Sequence, residues 1–378
     1  MQNHTTMSPR EFLKKYHFDH RMVDGSFYPR TPLGVGPGDR VGVVLFNLGG
    51  PTGLDGVEPF LYNLFMDPAI IDIPLPAMLR DPLCRLIARK RAEGVREEYA
   101  LIGGASPLNE HTRQQAVLLE RRLADELAAA TGATFHTYMA MRYAPPLSED
   151  SVQQMHEDGI THVVLLPLCP QYSKTTTGAS VVYWHALQQE GCMPDWPTSL
   201  IFEYATHPDL VCAFSGRISE GLSRFAEKER GNVHILFSAH GTPLYEKTRR
   251  HDPYQDLVFS TVRAIMDAWD GPNPHSTAFQ SKVGPAKWLS PSTPDHLGTL
   301  ADSGITRVLI VPVAFVSDHV ETLFELDMEV RKEALEAGIV KYEVCEGLND
   351  SPHFMDCLVD MVRRHVQSAD GSAPRSPQ

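Results

Sequence analysis

Residues 158–168, "DGITHVVLLPL", and residues 303–313, "SGITRVLIVPV", are near copies of one another. A second pair, "VVLFNLGGP" at 43–51 and "ILFSAHGTP" at 235–243, recurs in the same order within each half. An internal repeat of this length constrains the fold strongly, because each copy has to build the same supersecondary unit. The repeated segments are β-branched and aliphatic on both faces, which suits strands of a parallel sheet covered by helices on each side. "RVGVVLFNL", "ATFHTYMAMRY", "THVVLLPL", "TSLIFEY", "NVHILFSAH" and "TRVLIVPVAF" all read this way. Helical patterns such as 111–130 and 209–230 separate them, and the alternation predicts doubly wound α/β architecture.

The repeat predicts two similar Rossmann-like lobes with parallel sheets and a cleft between them. The first spans 39–214 and the second 215–351. Residues 1–38 end in "TPLGVGPGD" and read as a flexible N-terminal arm, and 369–378 as a disordered tail. The helical stretch 352–368 is expected to pack back on the first lobe. In sheets of this kind ligands bind beyond the carboxyl ends of the strands, so both sets of strand ends should line the cleft.

Composition excludes several classes of function. A net charge of −13 leaves no basic stripe to neutralise phosphates, so a nucleic-acid partner is not expected. Six cysteines without a C-x-x-C pair suit reduced thiols in a cytosol rather than a disulfide or zinc framework. The first residues lack the apolar stretch of a signal peptide. No apolar run reaches the ~18 residues needed to span a bilayer.

The chemistry concentrates at two strand ends. His240 closes a predicted strand in "FSAHGTP". In "FVSDHVETLFELDMEV", Asp318, Glu321, Glu325 and Glu329 recur at spacings of three, four and four. A lone strand-end histidine is usually structural, and an acid row is usually a solvated helix face. A solvated face, however, mixes signs to gain ion pairs, and here Arg331 and Lys332 come only after the row ends. The alternative is a polar channel entering the cleft. A histidine with carboxylates can hold Fe²⁺, Mn²⁺ or Zn²⁺ and can move protons. His319 reads as an orienting residue, since it faces away from Glu321 on a helix.

The first lobe adds an apolar stretch with a basic end, "PAIIDIPLPAMLRDPLCRLIARKR" at 68–91. It reads either as a helix capping the core or as a lip around a large flat ligand that also touches a membrane surface. Tyr99 and Ser106 flank a Gly-Gly turn in "YALIGGASPL". The glycines at 49–50 lack the G-x-G-x-x-G spacing, so nucleotide binding is not expected.

"LFNLGGP", "YALIGGASPL", "RYAPPL", "PQYSKTTTG", "FSAHGTP", "FQSKVGPAKWLSP" and "PVAFVSDHVETLFELD", in this order from about residue 41 to about 355, resemble the ferrochelatase family. The resemblance implies a chelatase-like fold and insertion of Fe²⁺, a substrate, into a porphyrin. It makes His240 and Glu321 the catalytic and metal-binding residues. Asp318, His319, Glu325 and Glu329 become the proton and metal path beside them. Leu48, Arg142, Tyr143, Trp288 and Phe315 match the porphyrin pocket, and Arg91, Tyr99 and Ser106 match positions that meet the propionates. Some members hold a [2Fe–2S] cluster; here Lys174 occupies the internal cysteine's place and no cysteine follows Cys357, so no cluster or other prosthetic group is expected. Leu48, where coproporphyrin-using relatives carry tyrosine, favours protoporphyrin IX and protohaem formation. The implied setting is cytoplasmic, with peripheral contact at the inner face of the membrane through the 68–91 lip. Competing readings are a coproporphyrin III ferrochelatase, a cobalt or nickel tetrapyrrole chelatase, and a two-lobed carrier of haem or metal without turnover.

Overall fold

The structure is a computed structural model that describes residues 7–73, 75–282 and 286–367. The tail expected at 369–378 lies outside the described residues. Among the described residues, eight strands form two parallel four-stranded sheets. The first contains β1 (Arg40–Asn47), β2 (Thr134–Met141), β3 (His162–Pro167) and β4 (Thr198–Leu200). The second contains β5 (His234–His240), β6 (His275–Gln280), β7 (Arg307–Pro312) and β8 (Lys341–Val344). Their orders, β2-β1-β3-β4 and β6-β5-β7-β8, are the same arrangement twice. The α/β fold of two similar lobes expected from the repeat is present, and the matched segments are its corresponding central strands.

Register explains why those segments are apolar throughout. Leu45 in β1 lies between Met139 of β2 and Leu166 of β3. Phe237 in β5 lies between Thr277 of β6 and Val311 of β7. Both central strands are sealed on each face, and fully burying a side chain such as Phe46 or Phe237 stabilises the fold by about 1.5–3 kcal/mol. β6 and β8 escape a hydrophobicity reading because "HSTAFQ" and "KYEV" are short and half polar.

Two expectations about domain limits need correction. The proposed boundary at 214/215 falls inside the helix Pro208–Ser223. Its buried Leu210, Phe214, Ile218 and Leu222 belong to one core that includes β1 and β3 residues as well as β5 and β7 residues. No break can form where one helix serves both lobes. The described part of the N-terminal arm is also ordered. Ser8 and Glu11 form a reciprocal capping box that starts the helix Pro9–Lys15. That helix buries Phe12, whose ring meets Tyr183 edge-on at 5.0 Å. Further along, Leu33 and Val35 donate backbone hydrogen bonds to His365 and Val366.

The C-terminal helix Pro352–Val366 packs on the helix Leu108–Glu126, on Pro208–Ser223 and on β3. The 68–91 stretch supplies a loop at 67–73 and most of the helix Ala77–Leu101. Met78, Leu79 and Leu86 stand 74%, 55% and 52% exposed on it. No described helix is long and apolar enough to cross a membrane.

Candidate active site

β5 ends at His240, and β7, its neighbour in the sheet, leads through a short loop to a π-helix, Glu321–Val330. Adjacent parallel strands deliver their carboxyl ends to the same edge, so His240 and Glu321 meet there. His240 Nδ1 lies 2.8 Å from Glu321 Oε2. An Nδ1–H donating to that carboxylate leaves Nε2 free. His319 donates from Nδ1 to the Ser317 carbonyl at 3.1 Å and places Nε2 3.9 Å from Glu321 Oε1. Phe315 packs between the two imidazoles, 6.3 Å from the ring of His240 and 4.5 Å from that of His319. The Tyr254 hydroxyl fixes the strand end by donating to the His240 carbonyl at 2.9 Å.

The acid row continues from Glu321, but not as an α-helical stripe. π-Helical turns are rare and recur at functional sites. Here the wider turn keeps Glu321, Glu325 and Glu329 along one side while lodging Thr322 and Leu326 in the interior. Ser281, just past β6, joins the first two acids. Its N–H and hydroxyl donate to Glu325 at 2.8 and 2.6 Å, and the hydroxyl also lies 3.3 Å from Glu321. Ser281 holds φ at +64°, a left-handed conformation that costs a serine of order 1 kcal/mol or more.

These contacts set the charges. The His240 side chain is 38% accessible, although the protein surrounds it closely. Burial works to lower its pKa, but the charge of Glu321, their hydrogen bond and the nearby Glu325 together carry it above 6.5. Burial likewise works to raise Glu321, and His240, His319 and Ser281 overcome this and bring it to about 2. Glu325 goes the other way. Burial, then repulsion from Glu321, raise it to about 7 despite the Ser281 hydrogen bonds. Burial holds His319 below its usual value. Each member of the His240–Glu321 pair thus favours the charged form of the other, beside an acid that burial and Glu321 raise to about 7.

Other expected residues divide into those gathered at the pair and those held elsewhere. Asp318 precedes the π-helix and is not on its stripe. Its carboxylate accepts from Gly347 N–H, Asn349 Nδ2 and Thr322 Oγ1, all within 3.1 Å. These bonds make Asp318 a loop anchor just before the row. Glu329 is exposed at the far end of the row. Opposite it stands Glu98 of the helix Ala77–Leu101, raised by burial and then by Glu329. Tyr99, one residue on, is buried against the Ser106 hydroxyl and feels the charge of Glu321.

In the first lobe, Leu48, Arg142 and Tyr143 share a crevice of about 30 Å³ with Cys169 and Thr175. Arg142 is paired with Asp67 at 2.7 Å, and the Tyr143 hydroxyl donates to the same carboxylate at 2.8 Å. Arg91 is exposed, with its guanidinium 5.8 Å from the Phe65 ring. Trp288 bridges to Pro243 and packs beside Gly241, next to His240. Gly50 serves packing: a Cβ there would stand 2.3 Å from Ser106 Cβ. Larger hollows of about 630 and 660 Å³ lie beside the edge strand β2 and at the amino ends of β5, β6 and β7, and neither is lined by His240.

Sequence reading missed Ser281, Glu98, Asp67 and Tyr254. Only Ser281 sat within a motif already singled out, and nothing in its neighbours signals a left-handed backbone.

The ferrochelatase family model matches residues 40–366. The chain belongs to the ferrochelatase family. It is 41% identical over 333 residues to the ferrochelatase of Rippkaea orientalis, covering 87% of this chain and 83% of that one. With the Gloeobacter violaceus ferrochelatase it shares 42% over 324 residues, covering 85% and 97%. The chloroplastic ferrochelatase-2 of Cucumis sativus is 40% identical over 343 residues, covering 89% and 65%. The fold is also similar to that of SirB from Bacillus subtilis with Fe³⁺, with a TM-score of 0.50, 13% identity, and 87% and 96% of the two chains covered. As a ferrochelatase, the protein is a metal chelatase, a lyase of haem biosynthesis whose substrates are a porphyrin and iron.

Proposed function

We propose that this ferrochelatase inserts Fe²⁺ into protoporphyrin IX to give protohaem, with His240 and Glu321 carrying the chemistry. The observation behind this reading is the 2.8 Å contact that leaves His240 Nε2 unoccupied at the strand ends. A free-base porphyrin keeps two N–H protons, and both must leave as the ring nitrogens bond the dication. Fe²⁺ approaching Glu321 draws off the carboxylate charge that holds the imidazolium. The His240 proton then leaves, and neutral Nε2 accepts the two pyrrole protons in turn, passing the first on to Glu325 before it takes the second. Glu325, linked through the Ser281 hydroxyl, takes up and releases protons near neutral pH, and Glu329 delivers them to the surface. The row thus lets a cation in and protons out, with charge balanced throughout.

Contacts to the remote ring face supply the energy that bends the macrocycle, and the apolar lip provides them. The same lip, with Met78, Leu79 and Leu86 outward, rests on the inner face of the membrane, the rest of the chain staying in the cytoplasm. Leu48 in the crevice and this greasy lip support protoporphyrin over coproporphyrin. The pairing of Arg142 with Asp67 and of Lys174 with Glu246 disfavours a more carboxylated tetrapyrrole, since both cations are spent inside the protein. The chain works without a [2Fe–2S] cluster: a fully buried ammonium stands where a cluster thiolate would have to be. The deciding assay follows anaerobic Fe²⁺ with protoporphyrin IX and with coproporphyrin III by loss of porphyrin fluorescence. Faster metallation of protoporphyrin is expected, and a clear preference for coproporphyrin would overturn the substrate assignment.

A further inference from the structure

Lys174 is the most deeply buried cation of the described chain, and none of its partners belongs to the active site just described. It opens the short π-helix Lys174–Gly178 that follows β3. Its Nζ donates to the Ala69 carbonyl in the lip loop at 2.6 Å and lies 3.2 Å from Glu246 Oε1 of the second lobe. Glu246, itself buried, also meets Arg250 at 2.9 Å, and Arg250 reaches back to Asp72 of the lip loop at 2.6 Å. The cluster therefore closes a ring: lip loop, first lobe, second lobe, lip loop.

A second line runs from the same residue to the strand end that carries His240. The Lys174 backbone N–H and the Ser173 hydroxyl both donate to Asp252 Oδ2 at 2.9 Å. Asp252 Oδ1 accepts from Tyr254 N–H at 3.0 Å, and the Tyr254 hydroxyl donates to the His240 carbonyl. A lone buried charge is strongly unfavourable, so an ammonium held by the Glu246 carboxylate and the Ala69 carbonyl keeps both in place.

We propose that Lys174, Glu246 and Arg250 are positioning residues, a buried ionic clamp that fixes the lip loop at 67–73 relative to His240. This rests on the porphyrin-insertion reading above. The clamp sets the spacing between the surface that grips the macrocycle and the imidazole that deprotonates it. Grip on a remote part of a substrate is used to reach the transition state, so loosening it lowers kcat more than it raises KM.

The test compares the full-length wild type with Lys174→Met/Glu246→Gln, which removes both charges and leaves neither stranded. The first readout is amide hydrogen exchange at residues 69–73, which needs no turnover. The second is kcat and KM for protoporphyrin IX with anaerobic Fe²⁺. Exchange about tenfold faster in the loop, with kcat down about tenfold and KM within about threefold, supports the clamp. Unchanged loop exchange refutes it, and faster exchange with wild-type kcat reduces it to a structural role. Should the double variant not fold, Asp72→Asn on the exposed side of the ring decides. A kcat at least about twofold lower with unchanged KM supports the clamp, and wild-type kinetics overturns it. A wild type that never metallates porphyrin refutes the functional reading instead, and loop exchange still judges the clamp.

Discussion

Glu321 Oε2 stands 2.8 Å from His240 Nδ1 although 81 residues separate them in the chain. The contact exists because β5 and β7 are neighbours and deliver their carboxyl ends to the same edge of the sheet. It brings a carboxylate onto the imidazole proposed above to receive a porphyrin proton, with Glu325 beside them raised to about 7.

That arrangement fixes the sign of the pH dependence. His240 has its folded pKa above 6.5, so its contribution to stability is complete below 6.5 and is lost as pH rises through the folded value. Glu321, brought to about 2, contributes above about 4.5 and loses this only as pH falls toward 2. Glu325, raised to about 7, binds its proton more tightly when folded, so its ionisation removes stability between about pH 4.5 and 7. Thermal scans should show Tm falling from pH 5 to 7, and Glu325→Gln should flatten that fall. An equally steep fall in the variant would show that the raised acid is not its source.

Ser281 separates hydrogen bonding from backbone strain. Ser281→Ala keeps the N–H to Glu325 and loses the hydroxyl that spans both acids. Turnover should drop about tenfold, the scale of a lost bond to a charged group. Ser281→Gly should lose as much activity while melting above Ser281→Ala, because glycine adopts φ of +64° without strain. Comparing the two Tm values and the two rates checks both halves.

Asp318 offers the opposite contrast. With its oxygens taken by Gly347, Asn349 and Thr322, Asp318→Asn should lower Tm by roughly 2–8 °C and leave turnover within about threefold. A rate loss comparable to that of Glu321→Gln, at unchanged Tm, would return Asp318 to the proton path.

The outward apolar side chains of the lip make a prediction about membranes. Met78→Ser/Leu79→Ser/Leu86→Ser should reduce co-sedimentation with anionic phospholipid vesicles at least about tenfold at unchanged Tm. Equal partitioning of variant and wild type would remove the lip as the contact.

Much of this was legible in the sequence because the signals were periodic or repeated. The twin "GIT.V" segments announced β3 and β7, and buried parallel strands must be apolar wherever they lie. His240 and the glutamates at 321, 325 and 329 stood out as polar groups placed where a core strand ends. What stayed hidden depends on chain geometry that no local pattern encodes. Asp318 has the right spacing for the row, yet it lies before the helix begins. The helix Pro208–Ser223 carries no mark that its buried face joins a core shared by both sheets. Arg142 looked like a free pocket cation until Asp67, 75 positions earlier, was seen to hold it. The N-terminal helix was the avoidable miss, since Ser8 and Glu11 are a capping box in plain text.

The central claim is that His240, held by Glu321, removes pyrrole protons. Its most direct test is the initial rate of anaerobic Fe²⁺ insertion into protoporphyrin IX by wild type, His240→Ala and Glu321→Gln. Each variant should fall at least ~10²-fold while remaining folded. Rates within a few-fold of wild type in both would contradict the account.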